Sequence, residues 1–541
     1  MKWKQKNANV HNLNEYVKDC TGQSYNDLLP SVSKQYHTKS LEKAAMMIRE
    51  AIKAGRTIQI VPDFDADGLD SLCILYLLLK HFGAKIAMSI PRRFSDGYGM
   101  HEDMLKRFAP NAFVITVDNG IAEKDVIAKA KAMGMDVLIL DHHNAPDSIP
   151  EADLIIDPEV TATPKHPEYA VFSAGWDYTH YCGAGLSYKL AQEMLGEEDK
   201  TLLDYMSCFA AIATMADVVD VTGDNRNIIS QGIANMRAGN CMPGLKALLD
   251  VLVKHEKLRG PITPEDLAFQ IAPIINTPGR MYDDGGKKII SCFMAPYEKA
   301  VGMAEELLAL NETKKELVTN VISDMKPKGT NIRFLYNSTI PEGICGIIAG
   351  RYLEETGCPS FVMTQSMKGG IKGSARSALP NKVFDMMKPV EDYFEAFGGH
   401  DCAAGFTVKP DKMDAFFEAM EKAAVPAEEV KYYDFDCPVT ELMNEYVQEN
   451  RLEIFGEGLK KPILHVTGMI SNVRVIGKDQ NHLSFDIGGV KCIAFQMAQQ
   501  YKDMGSPSLV DLYGQIKANW FRGRATAQLE IKDIKSPMQA N

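Results

Sequence analysis

At 541 residues the chain is too long for a single hydrophobic core, and three or four domains are expected. Its 45% hydrophobic and 24% charged residues are those of a soluble globular protein and exclude a disordered or fibrous class. The net charge of −12 argues mildly against a bulk nucleic-acid coat protein and leaves room for a local basic groove; the count also omits the charge of any metal that carboxylates hold.

No run approaches the ~20 apolar residues of a membrane span, and "MKWKQKNANVHNLNEY" has no signal-peptide core. Of the eleven cysteines, no two lie closer than Cys345 and Cys358. That spacing indicates neither a disulfide framework nor a zinc ribbon, and a cytoplasmic protein without membrane contact is expected.

Residues 1–50 read as a loose start and then a helix, "SLEKAAMMIREAIKAG", closed by Gly55. Four short apolar runs follow: "TIQIVP", "AKIAMSI", "NAFVITV" and "DVLIL". They alternate with "GLDSLCILYLLLKHFG" and "IAEKDVIAKAKAMG", which carry helical periodicity. Strand, helix, strand at this spacing predicts an α/β domain with a parallel sheet over 51–290. Within 291–328, "APYEKAVGMAEELLALNETKKELVTNVISDM" predicts a linker helix. A smaller α/β unit is expected over 329–425, from "NIRFLYNSTI" through "PSFVMT" and "IKGSARSAL". Residues 430–541 change to short β-rich runs with turn signals, the pattern of a small barrel.

In a parallel α/β sheet, ligands bind outside the carboxyl ends of the strands. "DFDAD" puts Asp63, Asp65 and Asp67 there after "TIQIVP"; "DNG" puts Asp118 after "NAFVITV"; "DHH" puts Asp141, His142 and His143 after "DVLIL". Asp217 and Asp220 end an apolar helix in "TMADVVD". Any one such Asp is ordinarily a helix cap or turn residue. Together they offer oxygen and imidazole donors without cysteine, which suits Mn²⁺ or Mg²⁺. Carboxylates so crowded are tolerable only with cations among them. Two ions ~3.5–4 Å apart under a bridging carboxylate would activate a water for in-line attack on phosphorus.

"DFDADG", "VDNG", "DHH" and "MADVVD", in this order, resemble the four motifs of the DHH phosphoesterase superfamily. The chain is more specifically similar to the RecJ family of single-strand exonucleases. That resemblance extends through "PRRFSDGYGM", "GAGLSYKLA", "FQIAPIINTPGRM", "KGSARSAL", "GGHDCAAGF" and "LEIFGEGLKKP". It implies a DHH domain, a DHHA1 domain and a C-terminal OB-like β-barrel. Asp65, Asp67, Asp118, His142 and Asp217 match the family's metal ligands, with Asp118 as the bridge and Asp63 in the same motif. His143 would sit over the scissile phosphate as electrophile or proton donor; the alternative is that it orients Asp118 or His142.

By the same resemblance Arg280, Ser374, Arg376 and the "GGH" of Gly398, Gly399 and His400 bind substrate phosphates, including those at a 5′ end. Alone, the "GGH" would read as an ordinary turn. Arg92 and Arg93, with Phe94 and Tyr98, could guide a strand toward the site. In "KANWFRGRATAQLEIK", Lys517, Trp520, Phe521, Arg522 and Arg524 interleave aromatic and basic residues as a single-strand groove does; Trp520 and Phe521 filling the barrel interior is the other reading. The implied activity is 5′→3′ cleavage of single-stranded DNA to nucleoside 5′-monophosphates in repair and recombination. A single-strand-binding protein or a helicase is an implied further partner. The rivals are a phosphodiesterase for dinucleotides or short oligonucleotides, which is typically a shorter chain, and a replication scaffold that has lost its ligands. Three departures from the family pattern, Ala66, "NTPGR" and the missing Trp-His before "IPEGICG", remove no ligand.

Overall fold

The computed structural model describes residues 2–28, 33–196, 198–366, 369–426, 430–442, 451–521 and 524–537. A short strand, β1 (Lys2–Gln5), and helix α1 (Leu13–Thr21) come first. Helix α2 (Lys39–Lys53) begins on the Thr38 side chain, which accepts from the Leu41 amide, and stops before Gly55 at φ 67°. Strand β2 (Thr57–Pro62) then leads into helix α3 (Ala66–His81), capped by Asp65. This helix is buried on nearly every side, which is why its sequence is apolar all round rather than striped.

Strands β3 (Lys85–Met88), β4 (Phe113–Val117), β5 (Asp136–Leu140) and β6 (Leu154–Ile156) join β2 in an all-parallel sheet of order β3-β2-β4-β5-β6. The sequence does not announce β6, whose three residues are too few for a pattern. Helices α4 (Gly183–Leu195) and α5 (Lys200–Ala216) pack on α3 and complete the largest core of the molecule. Further along, α6 (Ala272–Met281) follows a π turn at Leu267–Ile271. The predicted linker is a 28-residue helix, α7 (Tyr297–Asp324). It is more than a spacer. Its buried Lys314 donates from Nζ to Thr277 (2.7 Å) on α6 and to its own Asn311 (2.8 Å).

The second α/β unit has strands β7 (Arg333–Tyr336), β8 (Ser360–Gln365), β9 (Ile371–Arg376), β10 (Phe394–His400) and β11 (Ala403–Val408), in the order β10-β11-β9-β8-β7. Only β7 and β8 run parallel. Helix α8 (Cys345–Thr356) lies against β8 and β9.

After β12 (Val430–Tyr433) and β13 (Phe435–Asp436), strands β14 (Leu464–Ile476), β15 (His482–Ile487), β16 (Val490–Ala494), β17 (Leu509–Phe521) and β18 (Arg524–Lys535) follow. Their pairings β14–β15–β16–β18–β17 return to β14, closing a five-stranded barrel. The N-terminus departs from its reading as a loose start. β1 pairs with β12, and Val10, Leu13, Tyr16 and Val17 join the barrel's core. A strand partner so distant in sequence leaves no local mark. No helix among the described residues is long and apolar enough to cross a membrane.

Candidate metal centre and phosphate-binding face

Register explains the convergence of the aspartates. Pro62 of β2 lies beside Val117 of β4, and Val117 beside Leu140 of β5. The next residue on each strand is Asp63, Asp118 and Asp141, so one row of a parallel sheet delivers three carboxylates to one rim. Asp65 and Asp67 open α3 on the same rim, and Asp217 closes α5. Three overlapping sets have donor atoms within 4.8 Å of one another: Asp63, Asp65 and Asp118; Asp67, His142 and Asp217; and Asp118, His142 and His143. Asp118 and His142 each belong to two sets. Asp118 holds φ 60°, an uncommon conformation for a residue with a side chain, and its carbonyl accepts from the Tyr98 hydroxyl (2.7 Å).

Two of the carboxylates are held by backbone amides. Asp65 Oδ1 accepts from the amides of Asp67 (3.0 Å) and Gly68 (3.3 Å), leaving its second oxygen for the site. Asp67 accepts from Gly183 N (2.6 Å) and Ala184 N (2.8 Å), so the positive end of α4 orients it. Gly183 is forced by this contact, since a Cβ there would lie 2.8 Å from Asp118 Cβ and 3.0 Å from Asp67 Oδ2. That is the physical content of "GAGLSYKLA". His142 Nε2 stands 3.1 Å from Asp118 and 3.6 Å from both Asp67 and Asp217. Asp141 is not among the grouped donors. It is buried and accepts from the amides of Ile121 (2.9 Å) and His142 (2.8 Å) and from His143 Nδ1 (2.7 Å). It therefore orients both histidines.

The electrostatics are those of a site built for cations. Burial, reinforced by Asp67, Asp65 and Asp217, pushes the Asp118 carboxyl well above the usual range; burial and then Asp67 do the same to Asp217. Asp63 rises through burial and Asp65, and its Oδ1 is buried without a hydrogen-bond partner. Burial lowers His142. At His143 burial opposes the proton, but the Asp141 hydrogen bond and charge overcome it and raise the imidazole to about 9. Crowded, buried oxygen donors with one orphaned atom and no thiolate among the grouped donors fit Mn²⁺ or Mg²⁺.

Facing this rim are three guanidinium groups. Arg280 ends α6, where Gly343 lets the second unit close on it; a Cβ at Gly343 would be 2.7 Å from Arg280 Cα, and Arg280 Nη1 donates to the Gly343 carbonyl (3.3 Å). Burial, then the neighbouring charges of Arg93 and Arg376, lower Arg280 to about 10, although Asp65 opposes them. Arg93 is lowered by burial against the pull of Asp63, Asp65 and Glu342, and lies over the Phe64 ring at 4.4 Å. Arg376 and Ser374 share the half-buried face of β9 that α8 covers, and Gly346 in the first turn of α8 leaves them space: a Cβ there would lie 2.9 Å from Arg376 Nη2. Three half-buried like charges held near one another are arranged for an anion.

Other expected residues fall differently. Arg92 is exposed and its amide is tied to Asp96 (2.9 Å); its neighbour Arg93 takes the inward place, because the Asp283 carboxylate and carbonyl pin the backbone of residues 93–95. The "GGH" is not a turn but strand β10 at the sheet's outer edge. Across β9, β11 and β10, Arg376–Ala403–His400 form one row and Ser374–Gly405–Gly398 the next. Gly398 and Gly405 have open space where a Cβ would be, so the strand edge beside Ser374 is a bare shelf. Gly399 has no such freedom: Ala404 Cα lies 2.6 Å from its Cβ position. Trp520 neither fills the barrel nor stands free. Half-buried, its ring lies against Gly260, 2.5 Å from that residue's Cβ position. Arg522 and the Phe521 side chain lie outside the described residues. Arg93, Tyr98 and the α4 amides are placed more closely here than their motifs alone suggest, and the signal was the inclusion of "PRRFSDGYGM" and "GAGLSYKLA" among the family segments.

Comparison with known proteins agrees with this architecture. Residues 57–214 match the DHH family N-terminal domain, 329–425 the DHHA1 domain and 433–533 the RecJ OB domain. The single-stranded-DNA-specific exonuclease RecJ of Bacillus subtilis is 28% identical over 522 residues, covering 92% of this chain; the chain spans 64% of that relative's length. The RecJ of Escherichia coli is 27% identical over 532 residues, 91% of this chain and 90% of that one. The crystal structure of RecJ from Thermus thermophilus in complex with Mn²⁺ superposes with a TM-score of 0.79 at 25% identity, covering 97% of this chain and 76% of that one. A crystal structure of exonuclease RecJ bound to manganese gives 0.61 at 26%, covering 74% and 97%.

Proposed function

The chain belongs to the DHH phosphoesterases of the RecJ type, and from that premise we propose a metal-dependent exonuclease that degrades single-stranded DNA from its 5′ end to nucleoside 5′-monophosphates. The observation that carries this reading is the neighbourhood of two opposite sites, the carboxylate rim of the parallel sheet and the Arg93–Arg280–Arg376 cluster, in which Arg93 and Arg280 feel the charge of Asp65. A phosphodiester bound between them would have its charge answered on both sides.

Asp63, Asp65, Asp67, Asp118, His142 and Asp217 would hold two Mn²⁺ or Mg²⁺ ions, with Asp118 shared. Such ions lower the pKa of a bound water and neutralise the scissile phosphate. The chain's own groups do the rest. Arg280, Arg376 and Ser374 anchor the terminal phosphate at a fixed reach from the rim, which sets the polarity. The β10 shelf at Gly398, with His400 in the Arg376 row, lets the sugar-phosphate backbone approach closely. His143, protonated and held by Asp141, supplies a proton to the oxygen that leaves.

The barrel makes a polymer the better substrate than a dinucleotide, and the intact ligand set favours an enzyme over a scaffold. The proposal extends to a cytoplasmic setting, with a helicase or a single-strand-binding protein presenting the strand. The test is a single strand labelled at either end, incubated with Mn²⁺ or Mg²⁺ beside a duplex control. Labelled mononucleotide released first from the 5′ end is expected. Cleavage of dinucleotides with the long strand left intact would transfer the chain to the small-substrate class.

A further inference from the structure

The segment "LEIFGEGLKKP" has no part in the metal centre or the arginine cluster, yet it is bound tightly to the turn that carries Asp217. The Val221 amide donates to the Glu457 carbonyl (3.1 Å). A Cβ at Gly456 would lie 2.7 Å from Val221, and Gly458 holds φ 76° against Asp220. Between this loop, the Asp217 turn and the π turn lies a cavity of about 300 Å³. Its walls include Ala216, Val218, Phe269 and Phe455, with Lys460 and Lys461 beside them. Lys461 pairs with Glu265, while Lys460 is 77% exposed and 3.8 Å from Glu457.

Two apolar side chains in this cavity are unusually placed. Val218 is 63% exposed at φ 61°, a conformation costly for a β-branched residue, directly beside Asp217. Phe269 is 68% exposed. It rides on the π turn, whose ends Leu267 and Ile271 are fully buried, so the wide turn is anchored and its aromatic is pushed outward. A second cavity of about 730 Å³ shares Ala216, Ala268 and Phe269 with the first and continues past Asn276 to Arg280. Phe269 thus stands at the junction of two spaces. One leads toward the barrel side and the other toward the arginine cluster, and both pass the end of α5.

We propose that the Phe269–Val218 cavity is a nucleobase site, in which Phe269 stacks on one base of the strand and fixes its step past Asp217. An exposed ring gives any base a face and reads no sequence, and Lys460 beside it meets the backbone charge. The site deepens the nuclease reading and rests on it. It assigns the barrel-entry loop a role in positioning rather than in cleavage, and makes Phe269 a positioning residue.

The test uses the full chain in EDTA with single strands carrying one 2-aminopurine at successive positions from the 5′ end; this adenine analogue loses fluorescence when stacked. A quenched position is expected that is lost in Phe269→Ala and kept in Phe269→Trp, both folded because the side chain is exposed, while any quench at Trp520 is unchanged by either. In Mn²⁺, Phe269→Ala should raise KM about tenfold on long strands and leave kcat nearly unchanged. Uniform fluorescence, or a quench pattern that Phe269→Ala leaves unchanged at every position, overturns the site. Cleavage without a Phe269-dependent quench removes this site and leaves the nuclease. A Phe269-dependent quench without cleavage removes the nuclease and leaves the site.

Discussion

The parallel sheet and the mostly antiparallel sheet, five strands each, present their chemistry in opposite ways. In the parallel sheet the functional groups stand at strand ends. Every strand points the same way, so Asp63, Asp118 and Asp141 follow one register row, and no residue of β2, β4 or β5 is exposed to bring them there. In the mostly antiparallel sheet the functional groups stand in mid-strand. β9 alternates Ile371, Gly373 and Ala375, which are buried, with Lys372, Ser374 and Arg376, which are half-buried, and Ser374 and Arg376 meet Gly346 of α8 on that second face. One design buries charge at a rim and needs cations to hold it; the other spreads hydrogen-bond donors over a surface and needs an anion. Substitutions confined to one sheet should therefore separate metal binding from phosphate binding.

The largest effect belongs to the rim. Asp118→Asn keeps the shape and, since Asn tolerates positive φ, the backbone; cleavage should fall by at least about 10³-fold. A second readout separates folding from chemistry. Mn²⁺ should raise the melting temperature of the unaltered chain, by an amount equivalent to about 2.7 kcal/mol at a hundredfold excess over Kd. Asp118→Asn should lose most of that shift. Full activity, or an undiminished Mn²⁺ shift, would remove Asp118 from the centre.

Next comes the opposite face. Arg376→Ala should lower kcat/KM on 5′-phosphorylated strands by about 10²-fold, while the Mn²⁺ shift stays, because the arginine cluster and the rim are separate supports for one phosphate. Arg93→Ala should follow Arg376→Ala, and Arg92→Ala should change little, the two neighbours differing only in which way the Asp283-pinned loop aims them. Equal losses in both would mean that a diffuse basic field acts rather than a built site.

A smaller loss tests how the rim is held. Gly183→Ala puts a methyl group 2.8 Å from Asp118 Cβ. It should displace α4 from Asp67 and cost about 10- to 100-fold in metal affinity, as removal of groups that orient ligands does. An unchanged Mn²⁺ response would show that the α4 amides do not orient Asp67.

Much of the rim was legible because its information is local. A β-run followed directly by Asp, three times over, needs only the rule that parallel strands present their carboxyl ends together. The antiparallel face was legible only through family resemblance, since nothing about "GSARS" or "GGH" alone distinguishes a shelf from a turn. What escaped both was long-range. The pairing of Lys2–Gln5 with Val430–Tyr433, the choice of Arg93 over Arg92, and the docking of Trp520 on Gly260 depend on surfaces that meet only after folding.

That last group bears on the smallest predicted effect. Removing residues 430–541 would be the obvious way to ask what the barrel does, but it would also strip the partners from Val10, Leu13, Tyr16 and Val17 and leave β1 unpaired. The result would mix lost binding with lost stability. Trp520→Ala is cleaner. One side of its ring is taken by Gly260, so the indole has less surface left for a base than a free stacking platform has. Binding of long strands should weaken about fivefold, at the low end for an aromatic–base contact, with cleavage of dinucleotides unchanged. If long strands bind as before, Trp520 is a clasp between barrel and catalytic unit, and the melting temperature should fall instead. If dinucleotide cleavage also drops, the clasp reaches the metal centre through the Gly260–Asp266 loop and the π turn that follows it.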